Sequence, residues 1–150
     1  MKAYRIRAIR ENEMDALMQL IIAHTAYEKA DYSEQDKKGI LYRAIFEKPY
    51  KLKCWVVEID RNISGFCSFT TDYSTWDAAH YLHMDCLYLN EDSRGLGIGA
   101  AIIELLKQVA IDNNYCSIQW QTPVFNTNAI TFYHKIGATS KKKMRFTLFV

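Results

Sequence analysis

Proline and glycine are scarce, with 2 and 6 in a chain of 150 residues, and no Ser/Gly-rich linker, repeat or low-complexity tract interrupts it. One domain over residues 1–150 is expected. No apolar run approaches the roughly 20 residues that a membrane-spanning helix needs. The start, Met1-Lys2-Ala3-Tyr4-Arg5, lacks the apolar core of a signal peptide. Both point to a cytoplasmic protein with no membrane partner. An excess of one charge is also missing: 19 Lys and Arg face 17 Asp and Glu, so net charge gives no reason to expect nucleic acid as a partner. The cysteines, Cys54, Cys67, Cys86 and Cys116, form no C-x-x-C pair and read as reduced thiols of strands rather than disulfides or metal ligands. His80 and His83 stand three apart on an expected strand, face opposite ways and have no further Cys/His cluster to complete a shell, so no metal is expected.

What is present is a sequence rich in periodic segments, 49% apolar and 24% charged, which suits a packed globular chain. Tyr4 to Ala8 alternates as a strand. Asn12 can cap a helix carrying Met14, Leu17, Met18, Ile21 and Ile22, and Ser33 a second helix that reaches about Glu47. Cys54–Ile59 and Ile63–Phe69 flank Asp60-Arg61-Asn62 as a hairpin, and the run from His80 to Leu89 reads as a central strand. Ile98, Ala101, Ile102, Leu105, Leu106, Val109 and Ala110 make one apolar helical stripe. Ser117–Thr122 alternates, Asn128 can cap a short helix ended by Gly137, and Met144–Val150 reads as a last strand. The expected order is βααβββαβαβ.

Chemistry concentrates where the central strand turns into the long helix, at Arg94-Gly95-Leu96-Gly97-Ile98-Gly99-Ala100. Glycines let backbone N–H groups converge on phosphate oxygens, a helix N-terminus favours negative charge, and Arg94 can add charge-assisted hydrogen bonds. A diphosphate suits such a turn, although a merely tight glycine-rich connection has the same composition. No Gly-Lys-Ser/Thr follows, which disfavours a nucleoside triphosphate. The glycines alternate and follow antiparallel hairpins, which disfavours a dinucleotide fingerprint.

The antiparallel first half, the Arg-x-x-Gly-x-Gly turn and a later block from Asn126 through Phe132-Tyr133 to Gly137-Ala138 are together similar to the GNAT N-acetyltransferase superfamily. Tyr73-x-x-Trp76 followed by Tyr81-Leu82-x-x-Asp85 resembles its diamine (spermidine/spermine) and thialysine acetyltransferase branch. The resemblance covers essentially the whole chain. It implies an α/β (α+β) fold: a central, mostly antiparallel mixed twisted sheet of six to seven strands flanked by about four helices. It implies acetyl-CoA as cosubstrate and a homodimer. By the same likeness Arg94, Gly95, Gly97, Gly99 and Ala100 would bind the CoA diphosphate, and Leu87 and Leu89 would pair their backbone with the pantetheine arm. Asn126 and Asn128 would lie near that arm, Tyr133 beside the thioester sulfur, and Asp85 where the branch carries a carboxylate proposed as base. Two positions depart from the pattern: Glu91 replaces a frequent proline, and Ser93 a usual large residue.

An ammonium group must lose its proton before it attacks a thioester, so a base or water chain is needed. Asp85 is the candidate, since an aspartate in an apolar strand would be costly to bury unpaired and so argues for a cleft or a partner. Tyr133 can protonate the departing thiolate as general acid. Cys86 is adjacent to Asp85, but alternation would turn the two side chains to opposite faces, and no histidine is linked to it, so a ping-pong nucleophile is not expected. Lys141-Lys142-Lys143 reads as a solvated turn. The expected acceptor is a primary amine on a small polyamine, diamine or lysine-like molecule. Glu28, Asp31, Glu34 and Asp36, with Asp72 and Asp77, are acids that could attract it. The alternatives are a non-catalytic acetyl-CoA sensor, or an enzyme of the same superfamily acting on protein amines or aminoglycosides.

Overall fold

A computed structural model describes residues 3–150; Met1 and Lys2, which open the charged start considered above, lie outside the described residues. The alternating N-terminal segment forms β1 (Tyr4–Ala8), which runs antiparallel to β2 (Lys53–Ile59) with Ile6 opposite Val57. β2 turns into β3 (Asn62–Ser74) through Asp60 and Arg61, whose φ values of 50 and 67 are both left-handed. That two-residue turn matches the twist of antiparallel strands. β3 pairs antiparallel with β4 (Ala79–Leu89), and β4 pairs parallel with the very short β5 (Ile118–Gln119). The sheet order is β1-β2-β3-β4-β5.

Helices cover both faces, and the strands divide their side chains accordingly. On one side α1 (Met14–Tyr27) places Met14, Leu17 and Leu20 against Cys54, Val56 and Phe66, with α2 (Lys37–Phe46) packed beside it. On the other, α3 (Ile98–Asp112) places Ile98, Ile102, Ile103 and Leu106 against Val57, Ile59, Cys67, Phe69, Leu82 and Met84. Burial on both faces is why β2 and β3 read as nearly unbroken apolar runs. α4 (Thr127–Lys135) follows β5 and ends at Gly137, whose φ of 92 provides the left-handed helix stop. All four cysteines are free, and among the described residues no helix is long and apolar enough to cross a membrane.

The α/β architecture with four helices follows the expectation; the strand count does not. Among the described residues the sheet has five strands rather than six to seven. Within Ser117–Thr122 only Ile118 and Gln119 pair with β4, because the two strands diverge beyond them. Met144–Val150 is not a strand of this sheet, and its residues are exposed throughout. Helix starts also differ. Asn12 lies inside a 3-10 turn (Glu11–Glu13) rather than at a cap, and there Glu13 accepts from Arg10 N at 2.8 Å and from Arg7 Nη1 at 2.9 Å. α2 starts at Lys37 behind Asp36, whose φ is 54, not at Ser33. Asn126, not Asn128, occupies the position before α4.

Candidate active site

The site is organised by one extra residue in β4. Ser68 lies opposite Cys86 but Phe69 lies opposite Met84, so Asp85 has no partner in β3 and forms a β-bulge. Ahead of the bulge, even-numbered residues turn their backbone toward β5: Leu82 N donates to Ser117 O at 3.0 Å, and His80 O accepts from Cys116 N at 2.9 Å. Beyond it the parity reverses. Asn90 N donates to Ser64 O of the β3 strand at 2.9 Å, so by the antiparallel alternation Leu89 and Leu87 turn their N–H and C=O groups away from β3. On that side β5 has already separated, its pairing having ended at His83 opposite Gln119. The backbone of Leu87 and Leu89 therefore borders an open wedge between the two parallel strands.

The side chains exchange faces at the same point. Leu82 and Met84 belong to the core under α3, and so do Leu87 and Leu89, whereas Cys86 and Tyr88 pack on the α1 side. The bulge also brings Asp85 and Cys86 together, with Cys86 Sγ 3.7 Å from Asp85 Oδ2. The expectation that these neighbours face opposite ways is corrected, because regular alternation stops at an inserted residue. Burial, reinforced by the Asp85 charge, pushes the Cys86 thiol up to about 12, so it is held as a thiol rather than a nucleophilic thiolate. Asp85 itself is exposed. Its carboxylate meets no burial cost, so the expected need of a cleft or a partner does not arise.

The glycine turn adopts the conformation that its composition suggests. Gly95 and Gly97 have φ of 74 and 77 with no atom within 4 Å of where a Cβ would stand. Ala101 N makes a helical bond to Gly97 O at 3.1 Å, so the amides of Ile98, Gly99 and Ala100 are the unpaired N–H groups of the helix start. Gly99 serves another contact as well. A Cβ there would stand 3.1 Å from the Phe132 ring, so its absence lets α4 approach α3. Arg94 does not reach forward over the turn: its Nε donates to Leu89 O at 3.0 Å, and its guanidinium lies 4.7 Å from the Tyr27 ring centroid and 5.6 Å from that of Tyr88.

α4, which follows β5, carries Tyr133, half-buried with ring centroids 5.0 Å from Trp120 and 5.2 Å from Phe132. Burial, with smaller contributions from Cys67, Glu28 and Tyr27, pushes its hydroxyl up to about 12, so it stays protonated at neutral pH. Asn126 joins the two halves: its Nδ2 donates to Thr122 Oγ1 at 3.1 Å, and its Oδ1 accepts from Tyr27 OH at 3.2 Å. Asn128 is exposed on α4.

The end of α1 supplies residues that sequence reasoning missed or left among surface acids. Tyr27 touches Arg94 and Asn126, and His24 stacks on Tyr88 at 5.4 Å with Nε2 3.2 Å from Glu28 Oε1. Only the i,i+4 spacing of His24 and Glu28 was visible in the chain. The meeting of residues 27, 88, 94 and 126 is purely tertiary.

A strand that bulges and splays from its parallel neighbour thus meets a glycine turn and a helix start whose free amides suit an anionic ligand. Residues 14–138 match the acetyltransferase (GNAT) family. A thialysine N-epsilon-acetyltransferase of Caenorhabditis elegans is 26% identical over 143 residues, covering 95% of this chain and 88% of the relative. The human spermidine/spermine N(1)-acetyltransferase-like protein 1 is 28% identical over 74 residues, 49% of this chain and 10% of the relative. An aminoglycoside N-acetyltransferase solved with CoA superposes with a TM-score of 0.81 at 13% identity, covering 99% of this chain and 96% of that one. The chain belongs to the GNAT family, and it is an N-acetyltransferase.

Proposed function

We propose that the chain transfers acetyl from acetyl-CoA directly to a primary amine of a small polyamine, diamine or lysine-like molecule. The observation that carries this reading is a Tyr133 hydroxyl that burial on α4 keeps protonated, in a chain whose β4 bulges at the exposed Asp85 where its backbone edge opens. The free amides of Ile98, Gly99 and Ala100, with open space above Gly95 and Gly97, suit the CoA diphosphate. The backbone edge of Leu87 and Leu89 suits the amides of the pantetheine arm. Arg94 orders that edge by holding Leu89 O and leaves anion contact to the backbone.

At neutral pH only about one amine in 2,500 is unprotonated at an ordinary pKa near 10.4. Asp85 accepts the ammonium proton, directly or through water, and Glu28 adds a second negative charge on the α1 side, which attracts a cationic acceptor. Tyr133 gives its proton to the sulfur as the C–S bond breaks, and the new C–N bond forms without a covalent enzyme intermediate. The likeness to thialysine and spermidine/spermine acetyltransferases supports the acceptor class. Four free thiols suit a reducing, cytoplasmic setting.

The test is release of CoA thiol from acetyl-CoA in the presence of spermidine, spermine, short diamines, lysine, thialysine, aminoglycosides and lysine peptides. Release dependent on a small di- or polyamine or lysine analogue is the expected result. Turnover confined to aminoglycosides or peptides overturns the acceptor assignment. Binding of acetyl-CoA with no turnover on any member favours a sensor.

A further inference from the structure

We propose that His24 is a positioning residue for the acceptor: it holds the Glu28 carboxylate at the end of α1 and, when the imidazole is protonated, weakens the pull of that carboxylate on a cation. This role rests on the proposed function, in which the acceptor arrives as an ammonium ion. Glu28 closes α1, its N–H donating to His24 O at 3.0 Å. A helix C-terminus repels an anion and favours a cation in its last turn. The carboxylate thus stands where the backbone opposes it, and something must hold it there.

The imidazole does so. Among the described residues no Lys or Arg pairs with Glu28, and His24 Nε2 lies 3.2 Å from its Oε1. The His24 side chain is 12% exposed and that of Glu28 32%, so a mostly buried ring grips an acid that still meets solvent. The ring is fixed in turn. It stacks on Tyr88 at 5.4 Å with 30° between planes and meets the Phe66 ring edge-on at 5.9 Å. A surface i,i+4 pair, by contrast, spends side-chain entropy to hold two mobile groups together.

The charge of Glu28 reaches the reaction centre, since it helps to raise both the Cys86 thiol beside the Asp85 bulge and the Tyr133 hydroxyl on α4. The groups facing His24 are Glu28 and Tyr27 on α1 and Tyr88 on β4, with Cys86 and Asp85 farther along that strand. Arg94 of the glycine turn lies 5.6 Å from the Tyr88 centroid, and β3 contributes the uncharged Phe66. Histidine is the side chain type suited to change charge between pH 5 and 8. A neutral imidazole protonated on Nε2 donates to Oε1 and leaves Glu28 its full negative charge. A cationic one neutralises the pair and repels an ammonium ion. Acid therefore weakens acceptor binding through this pair.

The test is the KM of spermidine and of 1,5-diaminopentane, read from CoA thiol release between pH 5.5 and 8. Primary ammonium groups with a pKa near 10.4 stay protonated over that range, and KM follows affinity where chemistry is slow relative to dissociation. The expected result is a parent KM about three- to tenfold higher at pH 5.5 than at pH 8. His24→Gln keeps a donor without a titrating ring, so its KM stays near the parent's pH 8 value throughout, while its kcat follows the parent's pH slope. His24→Leu loses the donor and raises KM at every pH. Glu28→Gln, at the more exposed half of the pair, likewise gives a raised KM that no longer depends on pH. His83→Gln, at the histidine 3.9 Å from Asp72 Oδ2, keeps the parent's dependence. With either amine turned over, a pH-independent parent KM overturns the role of His24 and leaves the proposed function standing. So does pH dependence that survives His24→Gln or Glu28→Gln, or is lost in His83→Gln, and so does a His24→Leu protein that matches the parent at pH 8. Turnover of neither of these nor any other small amine overturns both.

Discussion

Replacing Gly97 by alanine separates the conformation of the glycine turn from its chemistry. With φ at 77 and no atom within 4 Å of the Cβ position, alanine meets no steric obstacle. Its cost is that of holding an L-residue in the left-handed region, about 1–2 kcal/mol. In a domain of this size each kcal/mol shifts Tm by roughly 2–4 °C, so Gly97→Ala lowers the melting temperature of the unliganded protein by about 2–8 °C. Gly39 is the control of opposite sign. It lies in α2 with only Arg43 Nη1 3.8 Å from its Cβ position, and Gly39→Ala raises stability by about 0.5–1 kcal/mol. Acetyl-CoA reads the second half of the effect. Ligand at 100 times its Kd stabilises by about 2.7 kcal/mol, and the bulkier Gly97→Val, whose side chain fills the space before the helix amides, loses most of that thermal shift. Circular dichroism melts with and without acetyl-CoA give both numbers. A Gly97→Ala protein that melts with the parent, or a Gly97→Val protein that keeps the full acetyl-CoA shift, refutes the reading of the turn.

Tyr133→Phe keeps the ring contacts with Trp120 and Phe132 and removes only the hydroxyl; kcat falls about 10²–10⁴-fold while acetyl-CoA affinity, from calorimetry, stays within about twofold, and unchanged turnover removes Tyr133 from the acid role. Asp85→Asn at this exposed position changes stability by no more than about 0.5 kcal/mol but lowers kcat/KM, with partial recovery at higher pH as more acceptor amine is unprotonated, and an unaltered rate excludes Asp85 as base. Alkali destabilises the fold: burial pushes the Cys54 and Cys86 thiols from 9.0 up to about 12, and raises Cys67 as well. Above pH 9 the unfolded chain therefore releases protons that the native chain retains, and stability falls by about 1.4 kcal/mol per pH unit for each thiol. Thermal melts between pH 8 and 10.5 measure this slope, and a flat Tm contradicts it.

What the chain revealed was whatever depends on local periodicity. The stripe from Ile98 to Ala110 became α3 because every fourth or third residue of it meets one sheet face, and Asp60-Arg61 turned the hairpin because two left-handed residues suit it. Boundaries failed where a distant partner decides. Asn12 has the chemistry of a cap, but Arg7 and the Arg10 amide hold Glu13, and the chain makes a 3-10 turn there instead. Ser117–Thr122 alternates over its full length, yet a strand exists only where a neighbour bonds to it, and β4 leaves after two residues. Met144–Val150 alternates just as well and, among the described residues, pairs with no strand.

The same limit bears on the candidate site. Glycines at a strand-to-helix turn are a local signal, and the structure keeps them as one. Arg94 and Asn126 were assigned by their place in motifs, and both turn out to spend their side chains on the protein, at Leu89, Thr122 and Tyr27. The insertion at Asp85 is invisible in the sequence, because a bulge is defined only by the strand opposite. It nevertheless accounts for three features together. It turns the backbone of Leu87 and Leu89 outward just beyond the point where β5 stops pairing, it keeps their side chains in the α3 core, and it sets a carboxylate beside Cys86 on the exposed surface. The bulge absorbs Asp85 and keeps Phe69 opposite Met84 and Ser68 opposite Cys86. If Asp85 ran in line instead of bulging, the regular alternation of β4 would send Cys86 and Tyr88 into the α3 core and turn their amides to the open wedge. His24, Tyr27 and Arg94 would then lose the ring on which they assemble. One bulged residue thus lets β4 present an open backbone edge and an exposed carboxylate side by side.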